Sequence, residues 1–373
     1  MSQGSVHFGF GVAPVELPGT PDDLLYQEVI HDCAFGHRLG YEAAWFFEHH
    51  FTDYFPTPSP LLFMAHIAAR VPGLGLGTCV LVSPWYHPVR FAEEIAMLSL
   101  LSEGPLHLGI GRGTAKLEYD AWGVDQEEAR DRYIEAIDVL RLAHAGEPFQ
   151  YRGKFLEMGR KVKMRPDANR ARINIYGAIG SPQSAGVMGE LGLPPLVVAN
   201  FPLHIQKNVL ETWTQVTRSR GGQADARKTI MIHAYLADTD DEAREIVKTQ
   251  VPQFFALQAR HYEADKDFYK DVKGYEQFSK FFGNLKKMAD PAQMDPWIDL
   301  QLCGTAKTAA RQLERYIEIG FDSFIIHVAT YGVPRALRHD LLTRFAREVA
   351  PAFDANFGPQ AGRRESRGAQ ENR

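Results

Sequence analysis

The sequence predicts an α/β fold in which eight parallel strands, each followed by a helix, close into a TIM barrel with insertions. Short apolar runs, typical of strands buried on both faces, alternate with helical segments, which is the pattern of βαβ units. Four such units follow one another in about the first 115 residues, the pace expected of a barrel. Polar side chains also gather where the second strand ends, and barrels of this kind build their active sites at strand ends.

Length and composition fit one domain, and we place its bounds at residues 1–357. The chain has 373 residues, enough for a barrel of about 250 residues with insertions. Its net charge of -5 and its scattered Lys and Arg residues predict no nucleic-acid partner. No run of about 18 apolar residues occurs, so no membrane association is expected. Three distant cysteines and the lack of a signal peptide predict a cytoplasmic protein without disulfides.

The eight barrel strands are placed by apolar runs that end at glycine, proline or polar residues. Their predicted bounds are Val6–Ala13, Ala43–Phe47, Leu74–Val82, Leu106–Ile110, Ile173–Ile179, Leu196–Phe201, Thr229–Leu236 and Ser323–Val328.

Helix signals lie between these runs. Thr20 is expected to cap a first helix that Pro21 opens and Gly40 ends. Further helices are predicted at Pro60–Arg70, Gln126–His144, Thr305–Ile319 and Arg335–Ala350.

Three segments do not fit the barrel rhythm. Residues 147–160 are predicted to form a hairpin insertion that turns at Arg152-Gly153. Residues 250–300, which are rich in charges and aromatic rings, are predicted to form a lid-like insertion. Residues 358–373 contain almost nothing apolar and are predicted to be disordered.

The end of the second strand carries the strongest candidate site. Glu48, His49 and His50 follow the apolar run directly, and an aromatic loop comes next. The two imidazoles could instead cap the strand or satisfy core hydrogen bonds. A two-histidine metal site is disfavoured, because adjacent strand residues point to opposite faces of the sheet. We therefore expect no metal.

Two glycine-containing turns are candidate anion sites. Gly109–Gly113 follows the fourth strand but has neither the Walker spacing nor a dinucleotide fingerprint, and Arg112 within it offers a guanidinium fork suited to phosphate. Ser181 opens a helix after the fifth strand, where free backbone N–H groups bind anions. Helix capping alone would also explain Ser181.

The stretch Trp45-Phe46-Phe47-Glu48-His49-His50-Phe51 resembles the strand-end motif of bacterial luciferase-like, flavin-dependent monooxygenases. The resemblance covers residues 6–355 and includes HPVRFAEEIAMLSLLSEG and LCGTAKTAARQLERYIEIGFD. It implies a flavin phosphate held by five residues of three segments: Arg112, Arg130, Gly180, Ser181 and Ser184. Gly111 is also expected to bind the cofactor. It also implies that Cys79 and Val80 lie beneath the isoalloxazine ring, where relatives often carry a strained, sometimes cis, peptide.

The activity implied by this resemblance is that of a two-component oxidoreductase. Reduced FMN from a separate, transiently bound flavin reductase would react with molecular oxygen to give a flavin 4a-hydroperoxide, which oxygenates a small, largely apolar organic substrate. His49 would be the acid/base group, and the substrate pocket would have aromatic walls from Phe51, Tyr54, Phe55 and Trp85. A homodimer is expected. Two alternatives stay open: a deazaflavin-dependent hydride-transfer enzyme on the same fold, and a non-catalytic accessory subunit.

Overall fold

The computed structural model describes residues 5–15, 19–266, 268–272 and 275–357, and it confirms the predicted barrel. The strands in this part of the chain are β1 (His7–Gly11), β2 (Ala43–Phe46), β3 (Gly75–Val82), β4 (Leu106–Gly111), β5 (Ile173–Ala178), β6 (Pro195–Val198), β7 (Thr229–Leu236), β8 (Leu302–Gly304) and β9 (Ser323–His327).

All strands but β8 form one closed parallel ring. The ring runs β1-β2-β3-β4-β5-β6-β7-β9, and it closes because β9 pairs with both β7 and β1. The short strand β8 pairs only with the end of β7 and lies outside the ring. It was missed in the sequence because three residues are too few to show a pattern.

The helices that cover the barrel are α1 (Asp22–Leu39), α2 (Pro60–Arg70), α3 (Pro88–Leu101), α4 (Lys116–Trp122), α5 (Ala129–His144), α6 (Pro182–Glu190), α7 (Leu203–Ser219), α8 (Asp240–Gln250), α9 (Pro252–His261), α10 (Glu276–Met288), α11 (Asp295–Ile298), α12 (Ala306–Glu318) and α13 (Arg335–Arg344). None of the described helices is long and apolar enough to cross a membrane.

Helix ends follow the predicted signals with one exception. Gly40 ends α1 in the left-handed conformation, with φ of 98°. Thr305 caps α12, where its side chain accepts a hydrogen bond from Thr308 N–H. The prediction for Thr20 was wrong: Pro21 is the residue that precedes α1, and α1 has no side-chain cap. Asp22 and Asp23 instead favour the start of α1 by their charge.

The two predicted insertions differ in structure. Residues 149–162 pair as a hairpin, with Phe149 N–H 2.8 Å from Val162 O, but the turn lies at Gly153–Leu156 rather than at Arg152-Gly153. The segment 250–300 lies between β7 and β8 and contains α9, α10 and α11. The predicted disordered tail, 358–373, lies outside the described residues.

Trp45 fills the inside of the barrel below the strand ends. A methyl group at Gly9 would lie 2.4 Å from Trp45 Nε1, and one at Gly77 would lie 2.4 Å from Trp45 Cδ2. Glycine is therefore required on both neighbouring strands for the indole to fit. The barrel is closed at this level, so any open space for a ligand lies above Trp45.

Candidate active site

One cavity of about 270 Å³ opens at the carboxyl ends of the barrel strands. The segments that follow β2, β4 and β5 contribute to its wall, and so do β3, β7 and β9. Parallel strands bring their carboxyl ends to the same rim, so residues far apart in the sequence meet here. Most of the residues predicted to form the site are brought together in this cavity.

His49 lies in the cavity wall and is paired with a carboxylate. Its Nδ1 is 3.3 Å from Glu118 Oε1, and the Glu118 side chain is 1% exposed. The same oxygen accepts a hydrogen bond from His50 N–H at 2.8 Å and lies 3.4 Å from Nε2 of His261. Because Nδ1 faces Glu118, Nε2 is the ring nitrogen that His49 offers to the cavity.

Charge within this cluster favours the carboxylate form of Glu118. Burial alone would raise the pKa of Glu118, but contacts with His261 and His49 outweigh it, and the pKa lies well below its usual value. Burial lowers the pKa of His261 to about 4, with the nearby charge of His49 acting in the same direction. Near neutral pH, Glu118 therefore carries a negative charge and His261 is neutral.

His49, Glu118 and His261 also have the chemistry of a metal site. Their ligating atoms lie within 4.8 Å of one another, and two imidazoles with one carboxylate can hold a divalent ion. Glu118 and His261 were not predicted from the sequence. A lone Glu on α4 and a lone His at the end of α9 form no local pattern.

His50 faces away from this cluster, as the alternation of strand residues predicts. Its Nε2 lies 3.3 Å from Glu48 Oε1, and the other Glu48 oxygen accepts a hydrogen bond from Val82 N–H at 2.9 Å. Burial raises the pKa of Glu48, and these contacts oppose that rise. His50 and Glu48 therefore connect the end of β2 to β3.

Two arginines define one end of the cavity. Arg112 follows β4 and Arg130 lies on α5, and both line the cavity. Burial and the charge of Arg112 lower the pKa of Arg130 to about 10. Within the described ranges, no carboxylate lies within salt-bridge distance of Arg130. Two guanidinium groups in a partly buried recess could hold an anion.

The start of α6 borders the same recess. Ser181 and Ser184 form a capping box: Ser181 Oγ accepts from Ser184 N–H at 3.1 Å, and Ser184 Oγ accepts from Ser181 N–H at 3.0 Å. Gly180 and Ser184 line the cavity, whereas Ser181 is buried behind them. Ser181 thus shapes the helix start, the capping role that the sequence left open.

The middle of β3 forms a wall between the two ends. Cys79 and Val80 line the cavity, and the peptide bond between them is cis. Burial raises the pKa of the Cys79 thiol to about 12. Gly111 faces them from β4, where a methyl group would lie 2.6 Å from Val80 Cγ2. This part of the cavity wall is therefore uncharged, and little space separates Gly111 from Val80.

Only part of the predicted aromatic wall faces the cavity. Tyr54 and Phe55 line it. Phe51 is 60% exposed, because a left-handed backbone with φ of 64° turns it outward. Trp85 packs against Tyr119, with ring centroids 4.5 Å apart, outside the cavity. The structure thus does not bring Phe51 and Trp85 into the pocket where they were predicted.

Other aromatic and imidazole side chains complete the wall and were not predicted. They come from the end of β2, from α9 and α11, and from β7 and β9: Phe47, Phe254, Phe255, Trp297, His233 and His327. In the sequence these residues look like ordinary core positions.

The barrel rim joins a cationic recess to a His–carboxylate pair in one cavity, an arrangement that could hold an anionic ligand beside a proton-transfer group. The chain belongs to the luciferase-like monooxygenase family, whose sequence profile matches residues 33–323. It is therefore a monooxygenase of the luciferase-like type, as the sequence motif predicted.

Relatives and solved structures agree with this family. The oxygenase component of the flavin-dependent trigonelline monooxygenase of Acinetobacter baylyi is 24% identical over 335 residues, 88% of this chain and 90% of that protein. Limonene 1,2-monooxygenase of Rhodococcus erythropolis is 26% identical over 374 residues, 96% of this chain and 89% of that protein. The monooxygenase RslO1 of Streptomyces bottropensis superposes with a TM-score of 0.78 at 21% identity, over 93% of this chain and 99% of that one.

Two further structures share the fold with different cofactors. The oxygenating constituent of 3,6-diketocamphane monooxygenase of Pseudomonas putida, in complex with FMN, has a TM-score of 0.73 at 19% identity and covers 93% of this chain and 98% of its own. An F420-dependent secondary alcohol dehydrogenase has a TM-score of 0.70 at 17% identity, and the match covers 94% of this chain and 99% of that one.

Proposed function

We propose that this protein is the oxygenase component of a two-component flavin-dependent monooxygenase. It takes reduced FMN from a separate reductase and uses molecular oxygen to oxygenate a small, largely apolar substrate. One observation carries the proposal. The same cavity holds an arginine pair suited to a phosphate and a His–carboxylate pair suited to proton transfer. A relative named as the oxygenase component of a flavin-dependent monooxygenase supports it.

The side chains present fit FMN. The guanidinium groups of Arg112 and Arg130 would hold the phosphate, with Gly180 and Ser184 beside it. The narrow wall of Gly111, Cys79 and Val80 would contact the flat ring system. When bound, reduced FMN supplies the reaction with molecular oxygen.

The protein's own groups would then control protons and water. His49 Nε2 would accept or donate a proton in the cavity, while Glu118 positions the ring through Nδ1. The apolar walls exclude water, which protects a reactive oxygen species from side reactions.

The segment 250–300 is proposed to act as a lid over this cavity. Phe281 and Phe282 of α10 line it, and Phe282 stacks on Tyr262 with ring centroids 4.4 Å apart. Tyr275 donates a hydrogen bond to Gly113 O at 2.9 Å, beside the arginine recess. Closure of a lid would complete the exclusion of water.

Deazaflavin-dependent hydride transfer is the second candidate function, because an F420-dependent enzyme shares the fold. The phosphate site would serve either cofactor. An accessory, non-catalytic subunit is disfavoured by the intact pairing of His49 with Glu118.

A homodimer in the cytoplasm completes the proposal. Exposed apolar side chains lie on α2 and α3, which pack against each other: Leu62 is 74% exposed, Met97 51% and Leu101 55%. Apolar surface on neighbouring helices favours association with a second copy. The free cysteines are consistent with a reducing compartment.

Stopped-flow mixing of the protein and reduced FMN with oxygenated buffer tests the cofactor assignment. We expect the absorbance of oxidised FMN to return markedly more slowly than in buffer alone, because the cavity excludes water. Reoxidation at the rate of free reduced FMN would refute the assignment. Tight binding of reduced deazaflavin without binding of reduced FMN would establish the second candidate.

A further inference from the structure

One arc of the cavity wall has no role in the proposed binding of FMN or in the proposed proton transfer. His327 ends β9, four positions around the ring from β4, whose end carries Arg112. His233 on β7 lies beside it in register, and the two imidazole centroids are 4.7 Å apart. Both side chains line the cavity. This pair therefore lies across the barrel mouth from the arginine recess.

His327 has hydrogen-bonding capacity that no described residue uses. The residue is 1% exposed, and within the described ranges neither of its ring nitrogens has a hydrogen-bond partner. Buried polar atoms without partners are uncommon, since each is destabilising. A methyl group at Gly11 would lie 2.3 Å from Nδ1, so β1 packs against that side of the ring. The cavity that His327 lines is the place where a ligand could supply a partner.

The surroundings of His327 are aromatic and uncharged. Phe47 and Phe55 present their rings to it with centroids 5.1 and 5.8 Å away. Burial lowers the pKa of His327 to about 3, so the imidazole is neutral. Among the described residues that line the cavity, the carboxylate is that of Glu48. It already accepts a hydrogen bond from Val82 N–H. This arc suits an apolar ring that carries an uncharged polar group.

We propose that His327, supported by His233, is the specificity-determining group for substrate and selects neutral, ring-sized molecules that carry one carbonyl or hydroxyl oxygen. A neutral imidazole has one N–H donor and one acceptor nitrogen, so it can serve either group. The aromatic side chains contact the ring, and the hydrogen bond fixes which end of the molecule faces β9. This proposal rests on the proposed function and names its substrate class.

Calorimetric titration with acetophenone and ethylbenzene tests the proposal. These two probes match in size, and an apolar pocket alone would favour the more hydrophobic ethylbenzene. We expect acetophenone to bind about tenfold more tightly, which corresponds to about 1.4 kcal/mol. Comparing 1-phenylethanol with ethylbenzene extends the test to hydroxyl groups.

Three variants assign the preference to His327. His327→Leu should abolish the acetophenone preference, and His327→Gln, which keeps a polar group at similar reach, should retain part of it. His204→Leu changes an exposed histidine on α7 and should behave as the wild type. Circular dichroism checks folding. If His327→Leu does not fold, His327→Gln must still reduce the ratio of the two affinities.

Equal binding of the two probes by the wild type, or binding of neither, overturns the proposal. An unchanged preference in folded His327→Leu or His327→Gln overturns it as well. Since the readout is binding of probes, it does not depend on oxygenation. Failure of the proposed function would appear instead as reoxidation of reduced FMN at its free rate.

Discussion

The guanidinium of Arg112 lies 4.0 Å from the ring centroid of Tyr275, which connects the 250–300 segment to the arginine recess. The Tyr275 hydroxyl lies 3.3 Å from that of Tyr119, which in turn donates to the Arg112 carbonyl. Arg112 therefore contacts the proposed lid directly, through Tyr275.

Phe282→Ala tests the lid. Loss of its stacking on Tyr262 should open the cavity to water, so that a larger fraction of the oxygen consumed is released as hydrogen peroxide. Peroxide release with reduced FMN is the measurement. Asn284→Ala, at an exposed position of the same helix, is the control. Unchanged release in Phe282→Ala would mean that this segment does not exclude water.

His49→Ala should reduce turnover by about 10²-fold or more, the usual contribution of an acid/base group, with affinity for reduced FMN nearly intact. Steady-state rates and flavin titration measure the two effects. The neighbouring His50→Ala is the control. Because His50 contacts Glu48 rather than the cavity, its loss should cost about 1–3 kcal/mol of unfolding free energy and leave turnover unchanged. Normal turnover in His49→Ala would show that His49 is not the acid/base group.

Reduced FMN should bind far more tightly than reduced riboflavin, because each charge-assisted contact to phosphate contributes about 1.5–3 kcal/mol. Arg130→Gln should reduce the affinity for FMN and leave that for riboflavin unchanged. Arg132→Gln is a matched control, since Arg132 lies on the same helix but pairs with Glu128 at 2.9 Å. Anaerobic titration followed by absorbance gives the affinities. Equal affinities of the wild type for the two flavins would show that the arginine recess does not bind the FMN phosphate.

Stability should fall as the pH drops below about 6.5. Burial lowers the pKa of His327 to about 3, whereas an unfolded histidine titrates near 6.5. Between these values the unfolded state binds more protons, so the free energy of unfolding rises with pH. His327→Leu should remove about 2 kcal/mol of this change between about pH 5 and pH 6.5. Urea unfolding at both pH values checks this, and His204→Leu should retain the wild-type slope.

Leu62→Lys combined with Met97→Lys should produce monomers if α2 and α3 form the dimer interface, because two lysines would be buried there without partners. Sedimentation velocity measures the assembly. Leu24→Lys, at a 45% exposed position of α1, is the control. A wild-type protein that sediments as a monomer would rule out the homodimer.

Much of the fold followed from the sequence alone. The eight barrel strands and the helices between them are local patterns, since apolar runs, caps and glycine stops are set by neighbouring residues. The motif at Glu48–His50 and the arginine of the Gly109–Gly113 turn are equally local, and the structure places His49, Arg112 and Arg130 in one cavity. Local signals were ambiguous at ends and short elements, such as Thr20 and β8, and they did not lead to a prediction of α7 or α8.

Tertiary structure alone decided the partners of these residues. Glu118 and His261 are 143 positions apart and meet at His49 because a rim joins loops from distant strands. Whether an aromatic residue faces the cavity depends on backbone direction after a strand, which is why Phe51 points outward while Phe254 and Trp297 point in. The unpartnered state of His327 depends on burial and on every neighbour at once. Hydrogen-bond satisfaction is a property of the packed chain, and no local pattern encodes it.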